Sequence, residues 1–174
     1  QDMALDVIKT MASHQNICNH IHLPVQSGSN RILKEMNRQH SREEYINLVN
    51  NIKTIIPECT ISQDMICGFP TETEKDHQDT LSLMEVIKYS FGFMYAYSER
   101  PGTTAERKLD DDVAFETKKR RLAEVVELQR SHSLYRTQQF INQTVEILIE
   151  KESKKSTSEW SGRSAENTVA VFPK

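Results

Sequence analysis

One segment of the chain combines polar side chains with glycine in a way that suits a small-molecule site. It is HLPVQSGSNRIL, residues 22–33, in which Gln26 and Ser27 stand directly before Gly28. Amide and hydroxyl groups hydrogen-bond a sugar or an amino-acid head group, and glycine lets the backbone approach a ligand closely. A helix N-terminus capped by Ser27 or Ser29 explains the same residues, and the segment alone does not decide between the two.

A second segment, DMICGFPTETEKD at residues 64–76, places a Gly-Phe-Pro turn after an apolar stretch. Backbone groups around Gly68 are suited to the edge of an adenine ring, and Ile66 or Phe69 to its face. The alternative interpretation is an ordinary proline-containing turn that leads into a capped helix.

A third segment, YSERPGTTA at residues 97–105, holds Arg100 in an irregular loop. A guanidinium group at such a place binds a phosphate or a carboxylate, although a solvated arginine is the more common case.

Patterning indicates the elements that must position these three segments. Residues 17–25, 59–67 and 91–97 have strand patterning, and helical patterns with capping residues occupy 41–56 and 71–87. Strands and helices that alternate with short connections predict parallel β/α units, which carry function in the loops after the strands. We therefore expect the three segments to meet at one edge of a parallel sheet.

The pattern changes towards the end of the chain. Residues 114–141 predict one long helix, and alternation from residue 144 predicts a small antiparallel β domain. We expect two units, residues 1–141 and residues 142–174. The basic runs at 118–121 and 151–155 are interpreted as solvated faces, with RNA contact as a minor alternative.

Composition narrows the class of protein. The chain is 37% hydrophobic with a formal net charge of -3, so any nucleic-acid contact must be local. No apolar run approaches the roughly 18 residues of a membrane span, which predicts a cytoplasmic protein without membrane contact.

The cysteines (18, 59 and 67) and the six histidines have no metal-ligand spacing, and His20 and His22 are assigned structural or solvated roles. Because Gln1 is not an initiator methionine, we expect a fragment.

Taken in order, the three segments resemble the methylthiotransferase family of radical S-adenosylmethionine (SAM) enzymes. The resemblance extends from about residue 17 to residue 173 and includes WSGR at 160–163 and NTVAVFP at 167–173. Within the family, the chain is similar to the branch that modifies N(6)-dimethylallyladenosine beside the anticodon of tRNA. It departs from the usual pattern at Cys67 and Thr71, where similar sequences more often have valine and glycine.

The resemblance implies an α/β fold, the C-terminal half of a radical SAM (TIM-like) β/α barrel with a long connecting helix, followed by a partial all-β TRAM domain that binds RNA. It implies that the whole enzyme adds a methylthio group to C2 of the adenine by radical chemistry with SAM. The [4Fe-4S] clusters would be bound by residues outside this chain, which alone would be inactive. Expected partners are tRNA and a reductant for the cluster, and the unpaired sheet edges of a half barrel predict self-association.

The resemblance also implies roles for particular residues. Gln26 and Ser27 are assigned to the SAM ribose and head group, and Gly68, Ile66 and Phe69 to the adenine. Weaker assignments to SAM or substrate are Asp64, Arg38 and Arg100. Contacts to tRNA are assigned to Lys154, Lys155, Trp160 and Arg163.

Two other functions stay open. The same chemistry could act on a different modified adenosine or on a ribosomal protein. A protein of another class, a non-catalytic RNA-binding module with an α/β scaffold, would lack the CxxxCxxC loop that binds the catalytic cluster.

Overall fold

The computed structural model describes residues 3–174. Parallel strands alternate with helices in the first part, and three antiparallel strands form the end. In chain order the elements are α1 (Leu5–Ser13), β1 (His20–His22), α2 (Asn30–Glu35), α3 (Arg42–Ile55), β2 (Thr60–Cys67), α4 (Glu74–Ile87), β3 (Phe91–Ala96), α5 (Thr104–Lys108), α6 (Phe115–Gln138), β4 (Leu148–Glu152), β5 (Glu159–Arg163) and β6 (Val169–Pro173).

The first sheet has the strand order β1-β2-β3, and both pairings are parallel. Because side chains alternate along β2, its two faces differ. Ile61, Met65 and Cys67 are buried in the core beneath the helices. The other side, here called the open face, carries His20, His22, Thr60, Ser62, Asp64, Ile66, Phe91, Phe93 and Tyr95. Phe93 and Tyr95 are 51% and 54% exposed there.

Strand β1 is shorter than its pattern predicts. Residues 17–25 indicated a strand, but ladder pairing covers only His20–His22. Pro24 has no backbone N–H for the ladder, which ends regular pairing. The chain pairs with β2 again at Gln26, which forms an isolated parallel bridge with Met65. Gln26 has a positive φ of 75°.

Capping explains where α3 and α4 begin. The Ser41 hydroxyl accepts from the backbone N–H of Glu44, whose side chain accepts from the Ser41 N–H. Thr73 and Asp76 form the same reciprocal box at the start of α4. The short helix α5, capped by Thr103, was not predicted from its polar sequence.

Helix α6 packs on the sheet with a largely polar face. Its buried residues are Lys118, Arg121, Val125, Gln129 and His132. The interpretation of residues 118–121 as a solvated run is therefore wrong for Lys118 and Arg121, which are 6% and 4% exposed. Both cations are buried because acidic groups in neighbouring loops pair with them.

The last three strands form an antiparallel sheet of order β4-β5-β6. The alternation from residue 144 becomes ladder structure only at Leu148. The β5–β6 turn contacts the first sheet, because the Thr60 hydroxyl donates to the Glu166 carbonyl at 2.6 Å. Within residues 3–174, none of the helices combines the length and the apolar character that crossing a bilayer requires.

Candidate functional site

A cavity of about 430 Å³ opens at the carboxyl ends of the three parallel strands. All three segments singled out in the sequence contribute to its wall, as the parallel topology requires. Its lining residues are Gln26, Arg38, Asp64, Ile66, Phe69, Tyr95, Ala96, Tyr97, Ser98, Arg100, Thr103 and Ala105. Its volume lies in the range of small-molecule sites.

The lining combines an apolar patch with charged groups of both signs. Phe69 and Tyr97 pack edge to face with ring centroids 5.1 Å apart. Asp64 supplies a carboxylate, and Arg38 and Arg100 supply guanidinium groups. Such a wall can hold an aromatic base on its apolar part and hydroxyl, ammonium or carboxylate groups on its charged part.

Gln26 lies at this wall in a left-handed backbone conformation, which is costly for a residue with a side chain. Two hydrogen bonds hold it: its N–H donates to the Asp64 carbonyl at 2.9 Å, and its carbonyl accepts from the Ile66 N–H at 3.0 Å. Backbone strain held by the surrounding structure is typical of ligand sites.

Six of the eight residues assigned to SAM or its reaction partner line this cavity together: Gln26, Arg38, Asp64, Ile66, Phe69 and, from the third segment, Arg100. Ser27 and Gly68 do not line it. The Ser27 hydroxyl is fully buried and accepts from the Ser29 N–H, 3.4 Å from the Thr80 hydroxyl. Ser27 therefore secures the loop against α4, while Ser29 caps α2.

The Gly68 N–H is also occupied within the protein, because it donates to the Glu72 carboxylate at 2.9 Å. Arg121 pairs with the same Glu72 oxygen at 2.8 Å, and both side chains are almost fully buried. Burial raises the pKa of Glu72, while the hydrogen bond from Gly68 and the charge of Arg121 act in the opposite direction. A side chain at position 68 would collide with Lys118, so glycine is required there.

Lys118 supports the aromatic part of the wall from behind. Its ammonium lies 5.2 Å from the centre of the Tyr97 ring, and it pairs with the Asp111 carboxylate at 2.5 Å. Lys118 and Arg121, one helical turn apart, thus fix the loops that follow β2 and β3.

A second cluster joins the loops that follow β1 and β2. Asp76 pairs with Arg31 at 2.5 Å and accepts from the hydroxyls of Ser29 and Thr73, each at 2.5 Å. Although burial opposes the charge, these donors hold the pKa of Asp76 well below its usual range.

Thr71 has a φ of 68°, a backbone conformation that favours glycine. Its conformation is held by neighbours, because Arg31 donates to its carbonyl at 2.6 Å and its N–H donates to Asp112 at 2.7 Å. Contacts from two loops thus compensate for the side chain at a position that favours glycine.

The four residues assigned to tRNA do not form one patch. Lys154 and Lys155 are exposed between β4 and β5, whereas Arg163 is at the far end of β5. Arg163 donates to the Asn167 side chain at 2.7 Å and pairs with Glu150 at 3.4 Å. Trp160 is half-buried, with the Lys174 ammonium 4.6 Å from its ring centre.

A larger cleft, of about 580 Å³, lies at the opposite end of the parallel strands. Its lining includes Lys53, Arg136 and Arg163, together with Glu58 and Glu166. Arg136 is engaged there, because it donates to the carbonyls of residues 87 and 88 at the end of α4. The smaller cavity is the better candidate site, because parallel β/α folds bind ligands at the carboxyl ends of their strands.

The three cysteines do not form a cluster site. Cys59 and Cys67 lie at opposite ends of β2 and are buried in the core, and Cys18 is exposed. Burial raises the pKa of the Cys67 thiol to about 12, with Glu72 adding to the effect. An iron–sulfur cluster needs thiolates that converge, so these residues do not fit one.

One group of potential metal ligands outside the cavity, Glu74, His77 and Glu124, lies within 4.8 Å. Arg120 donates to both carboxylates at 2.6 Å, and it lowers the pKa of Glu74 to about 2. The arginine supplies the positive charge that the carboxylates need, and we assign no cation to them.

Sequence reasoning missed the aromatic wall residues Tyr95 and Tyr97 and the two supporting cations of α6. The tyrosines had a signal, because they end a strand whose following loop was already singled out. Lys118 and Arg121 had none, since a basic run on a helix does not show which members face the core.

The chain is similar to known proteins in its sequence and in its fold. The radical SAM superfamily matches residues 2–84. Full-chain relatives are tRNA-2-methylthio-N(6)-dimethylallyladenosine synthases from Christiangramia forsetii, 68% identical, and Flavobacterium psychrophilum, 64% identical. Both alignments cover 100% of this chain but only 36% of the relative, so the chain spans about a third of their length.

Among solved structures, the chain is similar to coproporphyrinogen III oxidase (HemN) from Escherichia coli, described as a radical SAM enzyme. The TM-score is 0.62 at 21% identity, with 76% of this chain and 30% of the other covered. That likeness supports the fold alone. In sequence, the first half of the chain matches the radical SAM superfamily, and the whole chain is similar to about a third of the tRNA-2-methylthio-N(6)-dimethylallyladenosine synthases.

Proposed function

We propose that the protein containing this chain is a tRNA methylthiotransferase that adds a methylthio group to C2 of N(6)-dimethylallyladenosine. The observation that carries the proposal is the cavity at the carboxyl ends of β1, β2 and β3, in a chain 68% identical to a synthase of that name. SAM, when bound, supplies the radical that takes hydrogen from C2 of the adenine. The [4Fe-4S] clusters belong to parts of the protein outside this chain, because its own cysteines do not converge.

Within the cavity we assign SAM to the wall formed by six residues: Gln26, Arg38, Asp64, Ile66, Phe69 and Arg100. Ile66 and Phe69 offer apolar surface to the adenine. Asp64 is suited to the ribose hydroxyls or the ammonium of SAM, and the two arginines are suited to its carboxylate or to an RNA phosphate. Ser27 and Gly68 hold the surrounding loops through their contacts with Ser29 and Glu72.

We also propose that residues 142–174 begin a TRAM domain that contacts tRNA, after a SAM-binding unit of residues 1–141. Lys154 and Lys155 are exposed at the β4–β5 turn, where phosphate groups can reach them. Arg163 is a weaker candidate than the sequence suggested, because Asn167 and Glu150 already engage its guanidinium.

The test is carried out on the full-length protein, reconstituted without oxygen. Asp64→Asn is expected to weaken SAM binding by calorimetry about tenfold, the cost of one hydrogen bond to a charged group. Asp110→Asn, on an exposed loop, is the matched control and should bind SAM normally. Mass spectrometry of nucleosides from tRNA carrying dimethylallyladenosine should show the 2-methylthio product.

Two negative results of this test would favour two different alternative functions. SAM binding without product on this tRNA would favour another modified adenosine or a ribosomal protein as the substrate. Binding of tRNA by a protein that does not bind SAM would favour a non-catalytic RNA-binding module.

A further inference from the structure

The larger cleft, at the amino ends of the parallel strands, is lined by more basic than acidic groups. It has a volume of about 580 Å³ and lies where the ends of α3 and α6 meet the β5–β6 turn. A cleft of this size can hold a nucleotide. Its charged lining residues are Lys53, Arg136, Arg163, Glu58 and Glu166.

Two of these cations contact only neutral groups of the protein. Within residues 3–174, the Lys53 ammonium donates to the Cys59 carbonyl. Arg136 donates through Nε and Nη2 to the carbonyls of residues 88 and 87. The remaining N–H groups of both side chains have no hydrogen-bond acceptor in the part of the chain that the structure describes. They are therefore available to a ligand in the cleft.

Helix capping compensates for only part of this positive charge. Helix α4 ends at Ile87 with Lys88 as its C-cap, so Arg136 contacts the negative end of the helix dipole. That end carries the equivalent of about half a negative charge. Two full positive charges lie in the cleft, so most of the positive charge stays uncompensated.

Lys53 and Arg136 lie close enough to repel each other. Both side chains are half-buried. Burial, and then the charge of Arg136, lower the pKa of Lys53, and burial also lowers the pKa of Arg136. Two cations that share a partly buried cleft are stabilised when an anion binds between them.

The other charged groups of the cleft do not neutralise this pair. Arg163 is already paired with Glu150 at 3.4 Å. Glu58 is exposed, and one carboxylate oxygen of Glu166 is buried without a partner among the described residues. Neither of these two acids forms an ion pair with Lys53 within residues 3–174, and neither forms one with Arg136.

A phosphate group has the charge and the acceptors that the cleft lacks. It carries up to two negative charges and several oxygens, so it can contact an ammonium and a guanidinium at once. Phe91 and Phe140 also line the cleft and offer apolar surface to a base. We propose that Lys53 and Arg136 form a phosphate-binding site for a nucleotide, either free or within an RNA strand.

This site is separate from the cavity assigned to SAM. Thr60 lines the cleft and Ile66 lines the cavity, and both lie on β2. Six residues of extended strand span about 20 Å. A nucleotide in the cleft should therefore not displace SAM, and the phosphate site does not depend on the proposed function.

Phosphorus NMR of uridine monophosphate titrated with the full-length protein tests the site. Lys53→Met keeps the length of the side chain and removes its charge, so it should raise the Kd about tenfold. Arg130→Met is the control, because Arg130 lies on α6 in an exposed pair with Glu127. Saturating SAM should leave the Kd unchanged. Displacement of the nucleotide by SAM would place it in the cavity and overturn the proposal.

A second titration with tRNA separates the two sources of phosphate. If the phosphate belongs to RNA, Lys53→Met should weaken tRNA binding and make the slope of log affinity against log salt shallower by about one unit. If it belongs to a free nucleotide, only the binding of uridine monophosphate should weaken. Unchanged binding of both ligands in Lys53→Met, with circular dichroism showing a folded protein, overturns the proposal. Failure to bind SAM would refute the proposed function and leave this test intact.

Discussion

The loops around the cavity are held by single buried charges, and Asp76 is the clearest of them. Its carboxylate pairs with Arg31 and accepts hydrogen bonds from the hydroxyls of Ser29 and Thr73, so it connects the loops that follow β1 and β2. We expect Asp76→Asn to lower the free energy of unfolding by about 2–3 kcal/mol, because the remaining donors lose a charged acceptor. Denaturant unfolding of the chain measures this.

The pH dependence of the Asp76 cluster follows from its depressed pKa. A carboxylate whose folded pKa lies below its ordinary 3.8 contributes its full stability above that value. The contribution should fade as the pH falls below 3.8 towards the folded pKa. Asp79→Asn, on the same helix but in an exposed pair with Lys75, is the control and should change stability by less than about 0.5 kcal/mol. Equal losses in both variants would argue against the cluster.

Sequence reasoning was accurate where a residue's role depends on its nearest neighbours along the chain. The Ser41 box and the turn at Gly68 were predicted because capping and turn chemistry are local. The contact between His22 and Ser62 was not, because it depends on the register that brings β1 beside β2. Register between distant strands is a tertiary property that a single strand pattern does not contain.

At the scale of elements, α6 is joined to the sheet through buried cations. We expect Arg121→Met to destabilise the chain by about 3–5 kcal/mol, because it leaves the Glu72 carboxylate buried without its partner. Arg120→Met is the adjacent control. Its exposed pairs with Glu74 and Glu124 should account for less than about 1 kcal/mol. Thermal or urea unfolding distinguishes the two, and similar losses would contradict the buried pairing.

A separate prediction concerns RNA binding by the lysines of the β4–β5 turn. Replacing Lys154 and Lys155 with alanine should weaken tRNA binding by the full-length protein. The slope of log affinity against log salt should become shallower by about one to two units, because up to two phosphate contacts are lost. Lys9→Ala on α1, at the other end of the chain, should leave the slope unchanged. An unaltered slope in the double variant would remove this turn from the RNA interface.

Element positions were predictable where one face is apolar. The patterns at 59–67 and 91–97 gave β2 and β3 within about a residue, because burial on one face imposes alternation. Helix α6 was found with nearly correct bounds, and Val125 is buried as its apolar pattern predicts, but the burial of Lys118, Arg121 and Gln129 on the same face was not predicted, since that pattern marks only apolar positions.

For the whole molecule, the two edges of the parallel sheet are the places where another strand can pair. Strands β1 and β3 each pair only with β2 within residues 3–174. Free backbone groups on such edges recruit another strand, so the isolated chain should self-associate as its concentration rises. Sedimentation velocity over a range of concentrations measures this.

The full-length protein provides the control for that experiment. If the remaining part of the protein covers these edges, its sedimentation coefficient should not depend on concentration. A monomeric isolated chain at high concentration would show that the edges of β1 and β3 do not drive association.

The polar residues on the buried face of α6 affect how the protein responds to heating. The penalty for withdrawing ionic groups from water falls as temperature rises, while the hydrophobic contribution per unit area levels off. Helix α3 packs on the core through Tyr45, Val49 and Ile52, whereas α6 buries Lys118, Arg121, Gln129 and His132 together with Val125. On warming, the contact beneath α6 should therefore weaken less than the contact beneath α3, which leaves the walls around Phe69 and Tyr97 among the last parts to melt.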